Sequence, residues 1–214
     1  MSMKLGFNMA GTEEKFEEML AIGLGSRTTY LEIGVAAGGT ILSVADYCNI
    51  NLPMWSCIGV DVERGGYFNP AVFLLGSSHW TSIHNGHARR PLNEFLKING
   101  ITIALCGSSN IIVPGFQFIG FCLIDGCHGK KCVIADFEKV ELVIIPGGIV
   151  AFHDACEEDQ GFGFQPHCGE PINVRAALKS LGLLDNSREG WESLGEAHGD
   201  KSKQGNGFAF FRKI

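Results

Sequence analysis

The chain is poor in basic residues and has no long apolar run, and both absences restrict its function. Its 214 residues include 17 Lys and Arg against 23 Asp and Glu, a formal net charge of -6. A net negative charge argues against non-specific binding to nucleic acid. No run approaches the roughly 18–20 apolar residues of a membrane span, and no signal-peptide core follows the first methionine. We therefore expect a cytoplasmic protein that acts on a small molecule, binds neither nucleic acid nor membrane, and can form a homodimer.

The sequence also lacks the usual signature of a structural zinc site and that of a nicotinamide cofactor site. The eight cysteines include no C-x2-C pair, the usual spacing of structural zinc sites, and most are expected to be buried thiols. The chain has no G-x-G-x-x-G, which counts against a nicotinamide-dependent oxidoreductase. His79, His84 and His87 form an H-x4-H-x2-H set outside any helical pattern, so solvated loop histidines are expected there.

The most informative stretch present is an apolar segment that ends in an acid and several glycines. Glu32 and Gly34 are followed by Gly38, Gly39 and Thr40 at the start of a helical pattern. Glycines let the backbone approach a ligand closely, and the free N–H groups of a helix start can bind its polar atoms. The pattern favours a nucleotide-like cofactor that carries a positively charged amino-acid group.

Predicted strands and helices alternate along nearly the whole chain. Strands are predicted at 29–35, 55–60, 101–106, 118–124, 149–152 and 207–211, and helices at 13–24, 39–48, 91–98, 130–142 and 172–183. Apolar strands without clean alternation indicate a parallel sheet that is covered on both faces. In such sheets ligands bind beyond the carboxyl ends of the strands, where most polar candidate residues fall.

Two motifs on the strands predicted at 118–124 and 149–152 give the chain a family resemblance. Residues 124–128 read Ile-Asp-Gly-Cys-His, and residues 147–154 read Gly-Gly-Ile-Val-Ala-Phe-His-Asp. With the glycine segment, they make the chain similar to class I S-adenosylmethionine-dependent methyltransferases, especially the macrolide sugar O-methyltransferases. The resemblance implies a Rossmann-like, seven-stranded, mostly parallel α/β sheet with helices on both faces and a final antiparallel strand. A single domain, 1–214, would comprise an N-terminal helical extension, 1–27, and a cofactor-binding core, 28–214.

The resemblance also assigns roles to individual residues. It implies that S-adenosylmethionine is bound by the following residues: Glu32, Gly34, Gly38, Thr40, Asp61, Ser108, Ser109 and Asp125. Ser108 departs from the aspartate that the family often has beside the adenine. His128 would be the catalytic base, with Asp125 beside it.

A divalent ion, Mg²⁺ or another, would be held by Asp125, His153 and Asp154, although His153 replaces an acid of the family pattern. Simpler roles stay open for each residue. Asp125 could bind only the cofactor's ammonium group, Asp154 could cap a loop, and His128 could cap the following helix.

The resulting functional hypothesis is O-methylation of a small hydroxylated molecule, such as a sugar or another natural product. An NAD-dependent oxidoreductase and a non-catalytic cofactor-binding relative are the alternatives. The acceptor is expected to be selected by residues 62–88 and 155–170, with the first helix as a further candidate.

Overall fold

The computed structural model describes a defined part of the chain. It covers residues 3, 5, 9, 11–25, 29–35, 39–52, 56–62, 95–98, 101–106, 119–155, 169–199 and 207–214. For residues 42, 61–62, 95–98 and 101–106 it describes the backbone alone. Within this part, every helix is too short or too polar to cross a lipid bilayer.

Four helices and eight strands make up the described part. The helices are α1 (Glu13–Leu24), α2 (Gly39–Asn51), α3 (Lys130–Glu141) and α4 (Val174–Ser180). The strands are β1 (Thr29–Ile33), β2 (Ser56–Val62), β3 (Phe95–Ile98), β4 (Ile101–Cys106), β5 (Ile119–Ile124), β6 (Ile144–His153), β7 (Trp191–Ala197) and β8 (Phe208–Lys213).

All eight strands form one sheet in the order β3-β4-β2-β1-β5-β6-β8-β7. The five central strands, in the spatial order β4-β2-β1-β5-β6, are parallel to their neighbours. Strand β8 is antiparallel to both β6 and β7. This confirms the predicted Rossmann-like fold class with its final antiparallel strand. The parallel register brings the carboxyl ends of β1, β5 and β6 to one edge of the sheet.

The sheet has one strand more than the seven that were expected. One strand that was not predicted is β3, which lies where the sequence predicted a helix at 91–98. That prediction is wrong for residues 95–98, which pair antiparallel with β4 from Phe95–Ala104 to Ile98–Ile101. The two residues between these strands in the sequence are Asn99 and Gly100. Asn-Gly between two apolar runs is the strongest short-range signal for a two-residue hairpin, and here it outweighs the helical pattern.

Two further differences concern β6 and β7. β6 begins at Ile144 rather than at residue 149, and β7 has no counterpart among the predicted elements. Only the two ends of β7, Trp191 and Ala197, are buried, because it is an edge strand that is half covered. A short edge strand is stabilised by its pairing with β8, which local sequence patterns do not reveal.

The core consists of two layers, one on each face of the sheet. The α1 and α2 side contains Phe16, Tyr30 and Phe121, and the α3 and α4 side contains Phe137 and Phe152. All six residues of β5 are buried, which explains why this strand shows no polar alternation.

Helix α1 is an integral part of this core. Phe16 and Leu20 are fully buried, and the Phe16 ring lies 5.3 Å from that of Phe121. A Cβ on Gly23 would lie 2.7 Å from the carbonyl oxygen of Gly120, so the helix backbone contacts the sheet directly. The predicted N-terminal extension, 1–27, thus includes a helix that completes one face of the hydrophobic core.

Candidate active site

The site begins where β1 and β5 end side by side. The Asp125 amide donates to the Ile33 carbonyl oxygen at 2.8 Å, and the Gly34 amide donates to that of Val60 at 2.9 Å. Gly34 has a φ of +88°, and a Cβ on it would lie 2.2 Å from the Asp125 carbonyl oxygen. Only glycine fits this approach, so Gly34 fixes the position of the backbone that carries Asp125.

Four side chains at the carboxyl ends of β5 and β6, those of Asp125, His128, His153 and Asp154, form a closed set of contacts, called the Asp–His ring below. Asp125 Oδ1 lies 2.7 Å from His153 Nδ1 and 3.1 Å from His128 Nε2. The other nitrogens of both rings face Asp154: His128 Nδ1 lies 3.1 Å from its Oδ2, and His153 Nε2 lies 3.5 Å from its Oδ1. Each imidazole therefore lies between the same two carboxylates.

Asp125 carries a negative charge in the Asp–His ring. Burial by itself would raise the pKa of this carboxyl, but His153 and His128 lower it to about 2 through charge and hydrogen bonding. Asp125 is therefore a carboxylate at neutral pH, and it can stabilise a positive charge on either imidazole or on a bound cation.

His128 is held in place by its backbone as well as by its ring. Its carbonyl oxygen accepts a 2.9 Å hydrogen bond from the Asn173 amide, and Gly129 forms a β-bridge with Ile172. Gly129, rather than His128, is the N-cap residue of α3. Because both ring nitrogens of His128 face carboxylates, the helix-capping alternative has no support in this geometry.

Asp154 is buried and has an unusual backbone. Its φ of +58° lies in the left-handed region, which non-glycine residues adopt at an energetic cost. The next residue is held by α4, since Arg175 Nη1 donates to the Ala155 carbonyl oxygen at 3.1 Å and to Glu196 Oε1 at 2.7 Å. The first turn of α4 thus fixes both chain segments that carry the Asp–His ring.

Glu32 lies one strand away, inside the carboxyl-terminal half of β1. Only 2% of its surface is exposed, and the Tyr30 hydroxyl donates to its Oε2 at 2.6 Å. Burial next to Glu32 raises the pKa of Tyr30 well above its usual range, so the phenol stays protonated as a donor. Thr40, at the start of α2, is also buried, and its hydroxyl contacts the Met9 sulfur at 3.5 Å.

The structure describes the side chains of some predicted site residues, only the backbone of one, and nothing of others. It brings Asp125, His128, His153 and Asp154 together and places Gly34 against Asp125. It places Asp61 near the end of β2 by its backbone alone. Several predicted residues lie outside the described part of the chain: Gly38, Ser108, Ser109, the three histidines at 79, 84 and 87, and most of the two segments that were expected to select the acceptor.

The geometry groups the metal-ligand candidates differently from the sequence. Asp125, His128 and His153 each offer one ligand atom, and these atoms lie within 4.8 Å of one another. This is the one group of at least three potential ligands in the described part of the chain, and it includes His128 where the sequence predicted Asp154. Cys127 and Cys132 are not members, so the described residues give no support to a cysteine-containing zinc site.

Sequence reasoning missed the residues that hold this site in place. Tyr30 stands two positions before Glu32, and residues i and i+2 of a strand share one face, which was an available signal. Asn173 and Arg175 lie about 20 or more residues away in sequence from the groups they hold, and their contacts follow only from the tertiary fold.

The strand order and the position of the Asp–His ring define a class of proteins. A parallel sheet with the final strand inserted antiparallel beside β6, and polar residues at the strand ends, is the class I S-adenosylmethionine-dependent methyltransferase fold. Residues 31–155, more than half of the chain, match the family model described as a methyltransferase domain. The chain belongs to this family. No curated protein sequence matches it.

Solved structures that share the fold act on different acceptors. An rRNA methylase from Streptococcus thermophilus is 11% identical, with 98% of this chain and 99% of that one covered and a TM-score of 0.57. An O-methyltransferase from Bacillus cereus, in complex with SAH, is 14% identical, covering 98% and 84%, with a TM-score of 0.58. The TDP-rhamnose 3′-O-methyltransferase CalS11 of calicheamicin biosynthesis is 18% identical, covering 93% and 77%, with a TM-score of 0.55. At these identities the similarity establishes the fold alone.

The described residues fit the cofactor of this fold. Glu32 is a buried carboxylate at the end of β1, as an ammonium group requires, and it is oriented by Tyr30. The left-handed turn at Gly34 brings backbone, without a side chain, to the same edge. A cationic amino-acid group and a close backbone contact are features of S-adenosylmethionine binding that this edge of the sheet can satisfy.

Proposed function

We propose that the protein is an S-adenosylmethionine-dependent O-methyltransferase that acts on a small hydroxylated molecule, such as a sugar or another natural product. The observation that carries this proposal is the Asp–His ring at the carboxyl ends of β5 and β6. It puts proton-accepting groups at the edge of the sheet where this fold binds its ligands.

Cofactor binding is assigned to residues at the ends of the first strands. Glu32 binds the ammonium group, Asp61 the ribose hydroxyls, and Ser108 and Ser109 the adenine side. Gly34, Gly38 and Thr40 border the methionine part. When bound, S-adenosylmethionine supplies an electrophilic methyl group on its sulfonium; the chain's own residues position the acceptor and take its proton.

His128 is the group that takes the proton in the ion-free protein. Its side chain is 16% exposed, whereas that of His153 is 5% exposed, so His128 is the imidazole that an acceptor can reach. To do so, one of its nitrogens must exchange a carboxylate for the acceptor hydroxyl. Asp125 stays ionised and stabilises the imidazolium that forms, as a carboxylate does for a catalytic histidine in other enzymes.

The Asp–His ring favours an oxygen over a nitrogen acceptor. A hydroxyl becomes a good nucleophile as it loses its proton, whereas a neutral amine can attack through its lone pair before it loses one. A site rich in proton acceptors is therefore most useful to an alcohol or phenol. The sugar O-methyltransferase CalS11 shares the fold and lends support to a sugar as the acceptor class.

The test is an assay of methyl transfer from S-adenosylmethionine to a panel of sugars, phenols and amines, in which the release of S-adenosylhomocysteine is measured. His128→Ala should lower kcat for an accepted hydroxyl compound by about 10²–10⁴-fold and leave the cofactor Kd nearly unchanged. His198→Ala is the matched control, since the His198 side chain is 67% exposed and lies outside the Asp–His ring.

Three outcomes would contradict this proposal. Methyl transfer to amines alone would show that the protein methylates nitrogen rather than oxygen. Cofactor binding without transfer to any acceptor would favour a non-catalytic relative. Calorimetric binding of NAD in place of S-adenosylmethionine would favour the oxidoreductase alternative.

A further inference from the structure

Three donor atoms in the Asp–His ring converge on one position. His153 Nδ1 and His128 Nε2 both approach Asp125 Oδ1, at 2.7 and 3.1 Å. The ligand atoms of these three residues lie within 4.8 Å of one another. Two imidazole nitrogens and one carboxylate oxygen at these separations form a three-ligand set that leaves further coordination positions open.

Asp154 faces both imidazoles from the opposite side. Its Oδ2 lies 3.1 Å from His128 Nδ1, and its Oδ1 lies 3.5 Å from His153 Nε2. Histidines that bind a metal through one nitrogen usually donate the other N–H to a carboxylate, which fixes the ring orientation. Asp154 Oδ2 is within reach of His128 Nδ1 for this role, whereas the 3.5 Å between Asp154 Oδ1 and His153 Nε2 is longer than a hydrogen bond and would have to shorten when an ion binds.

The number of N–H donors also favours a cation. Two neutral imidazoles carry two N–H groups, but the Asp–His ring contains four contacts between nitrogens and carboxylate oxygens. Asp154 Oδ1 is buried and accepts no hydrogen bond in the described part of the chain. If each imidazole carries its N–H on the nitrogen that faces Asp154, the nitrogens that face Asp125 carry lone pairs, and a cation between them would satisfy all three donor atoms. This arrangement requires the 3.5 Å distance from His153 Nε2 to Asp154 Oδ1 to shorten into a hydrogen bond.

The identity of the donors selects the type of cation. The family resemblance implies Mg²⁺ on Asp125, His153 and Asp154, but Mg²⁺ prefers an octahedral shell of oxygens. The converging set contains two nitrogens and excludes Asp154, so these residues do not fit Mg²⁺. Imidazole nitrogens suit Zn²⁺, Co²⁺ and related ions.

We infer that Asp125, His128 and His153 form a binding site for a transition-metal ion of the Zn²⁺ type, with Asp154 as the carboxylate that orients both histidine ligands. Binding itself does not depend on methyl transfer. The use of the ion rests on the proposed function, because an open coordination position beside the cofactor edge would receive the acceptor hydroxyl. In the ion-bound protein His128 is a ligand through Nε2, so its role as a base belongs to the ion-free protein.

The experiment uses Co²⁺ as a spectroscopic substitute for Zn²⁺ in the full-length, tag-free protein after removal of metals with a chelator. Titration with Co²⁺ should give visible d–d absorption that saturates at one ion per chain. One equivalent of Zn²⁺ should abolish this absorption, and a large excess of Mg²⁺ should not.

Variants assign the absorption to the four residues. His153→Gln and His128→Gln should lose it, and Asp154→Asn should weaken Co²⁺ affinity by about 10–100-fold, the usual cost of removing a group that orients a metal ligand. His198→Gln should bind Co²⁺ like the unmodified protein. Circular dichroism of each variant shows whether it is folded, and Asp154→Asn serves as the test if either histidine variant is not.

Several results would overturn the inference. These are unchanged Co²⁺ binding in folded His153→Gln, displacement of Co²⁺ by Mg²⁺ at similar concentrations, and a thiolate-to-cobalt charge-transfer band. Calorimetry with S-adenosylmethionine on the same sample separates this inference from the proposed function. Cofactor binding without Co²⁺ binding contradicts only the metal site, and Co²⁺ binding without cofactor binding contradicts only the methyltransferase proposal.

Discussion

Asp136 should make the stability of this protein depend on pH near neutrality. It lies on α3 with 6% of its surface exposed, and burial raises the pKa of its carboxyl to about 7, with Lys139 offsetting part of the effect. Its Oδ2 lies 3.8 Å from the position that a Cβ on Gly126 would occupy, directly beneath the turn that carries Asp125. We predict that Asp136→Asn stabilises the protein at alkaline pH.

The size of the effect follows from the difference between the folded and unfolded pKa. The ordinary value for Asp is 3.8. The folded state binds the proton more tightly, so the contribution of Asp136 to stability is complete below about pH 4, falls as the pH rises, and is lost above about pH 7. A pKa difference of about 3 corresponds to ~4 kcal/mol, and this figure already includes the attraction between the carboxylate and Lys139.

Urea denaturation of both proteins at pH 5, 6, 7 and 8 tests this reasoning. The difference in unfolding free energy between Asp136→Asn and the unmodified protein should grow with pH and level off near pH 8. Glu138→Gln is the matched control, since Glu138 lies on the same helix and is exposed. A difference that is the same at every pH would refute the argument that burial of the carboxylate is the cause.

Three further substitutions test the cofactor edge of the sheet. Asp61→Ala should weaken S-adenosylmethionine binding by ~1–3 kcal/mol in calorimetry, as expected for hydrogen bonds to a charged group, and unchanged affinity in a folded variant would remove this assignment. Tyr30→Phe should lower both stability and cofactor affinity, because Glu32 loses a 2.6 Å hydrogen bond, whereas the control Tyr47→Phe should change neither. Gly34→Ala should be destabilising by about 1–3 kcal/mol more than Gly147→Ala. Both glycines have positive φ, but only at Gly34 would the new Cβ meet another atom within 4 Å, so equal losses would contradict the role of that contact.

Local patterns predicted the elements that local interactions define. Helix α1 and strand β4 have the predicted bounds, because a helical apolar stripe and an unbroken apolar run each mark an element by itself. β7 was not predicted because a half-exposed edge strand has no such mark. β3 was predicted as a helix because the sequence analysis gave the helical pattern at 91–98 more weight than the Asn-Gly pair that follows it.

The candidate site was predictable in its position but not in its contacts. Strand ends in a parallel sheet meet at one edge, so Asp125 and His153 had to be near each other. Which nitrogen faces which carboxylate depends on side-chain torsions and on the left-handed backbone at Asp154, and neither is encoded in residue spacing. The sequence therefore placed Asp154 among the metal ligands, whereas the geometry gives that place to His128.

The anchoring of the site by α4 couples its two halves mechanically. The Asn173 amide holds the carbonyl oxygen of His128, and Arg175 holds that of Ala155, directly after Asp154. A displacement of α4 would therefore move His128 and Asp154 together, so this helix links the position of the imidazole to that of the carboxylate it faces.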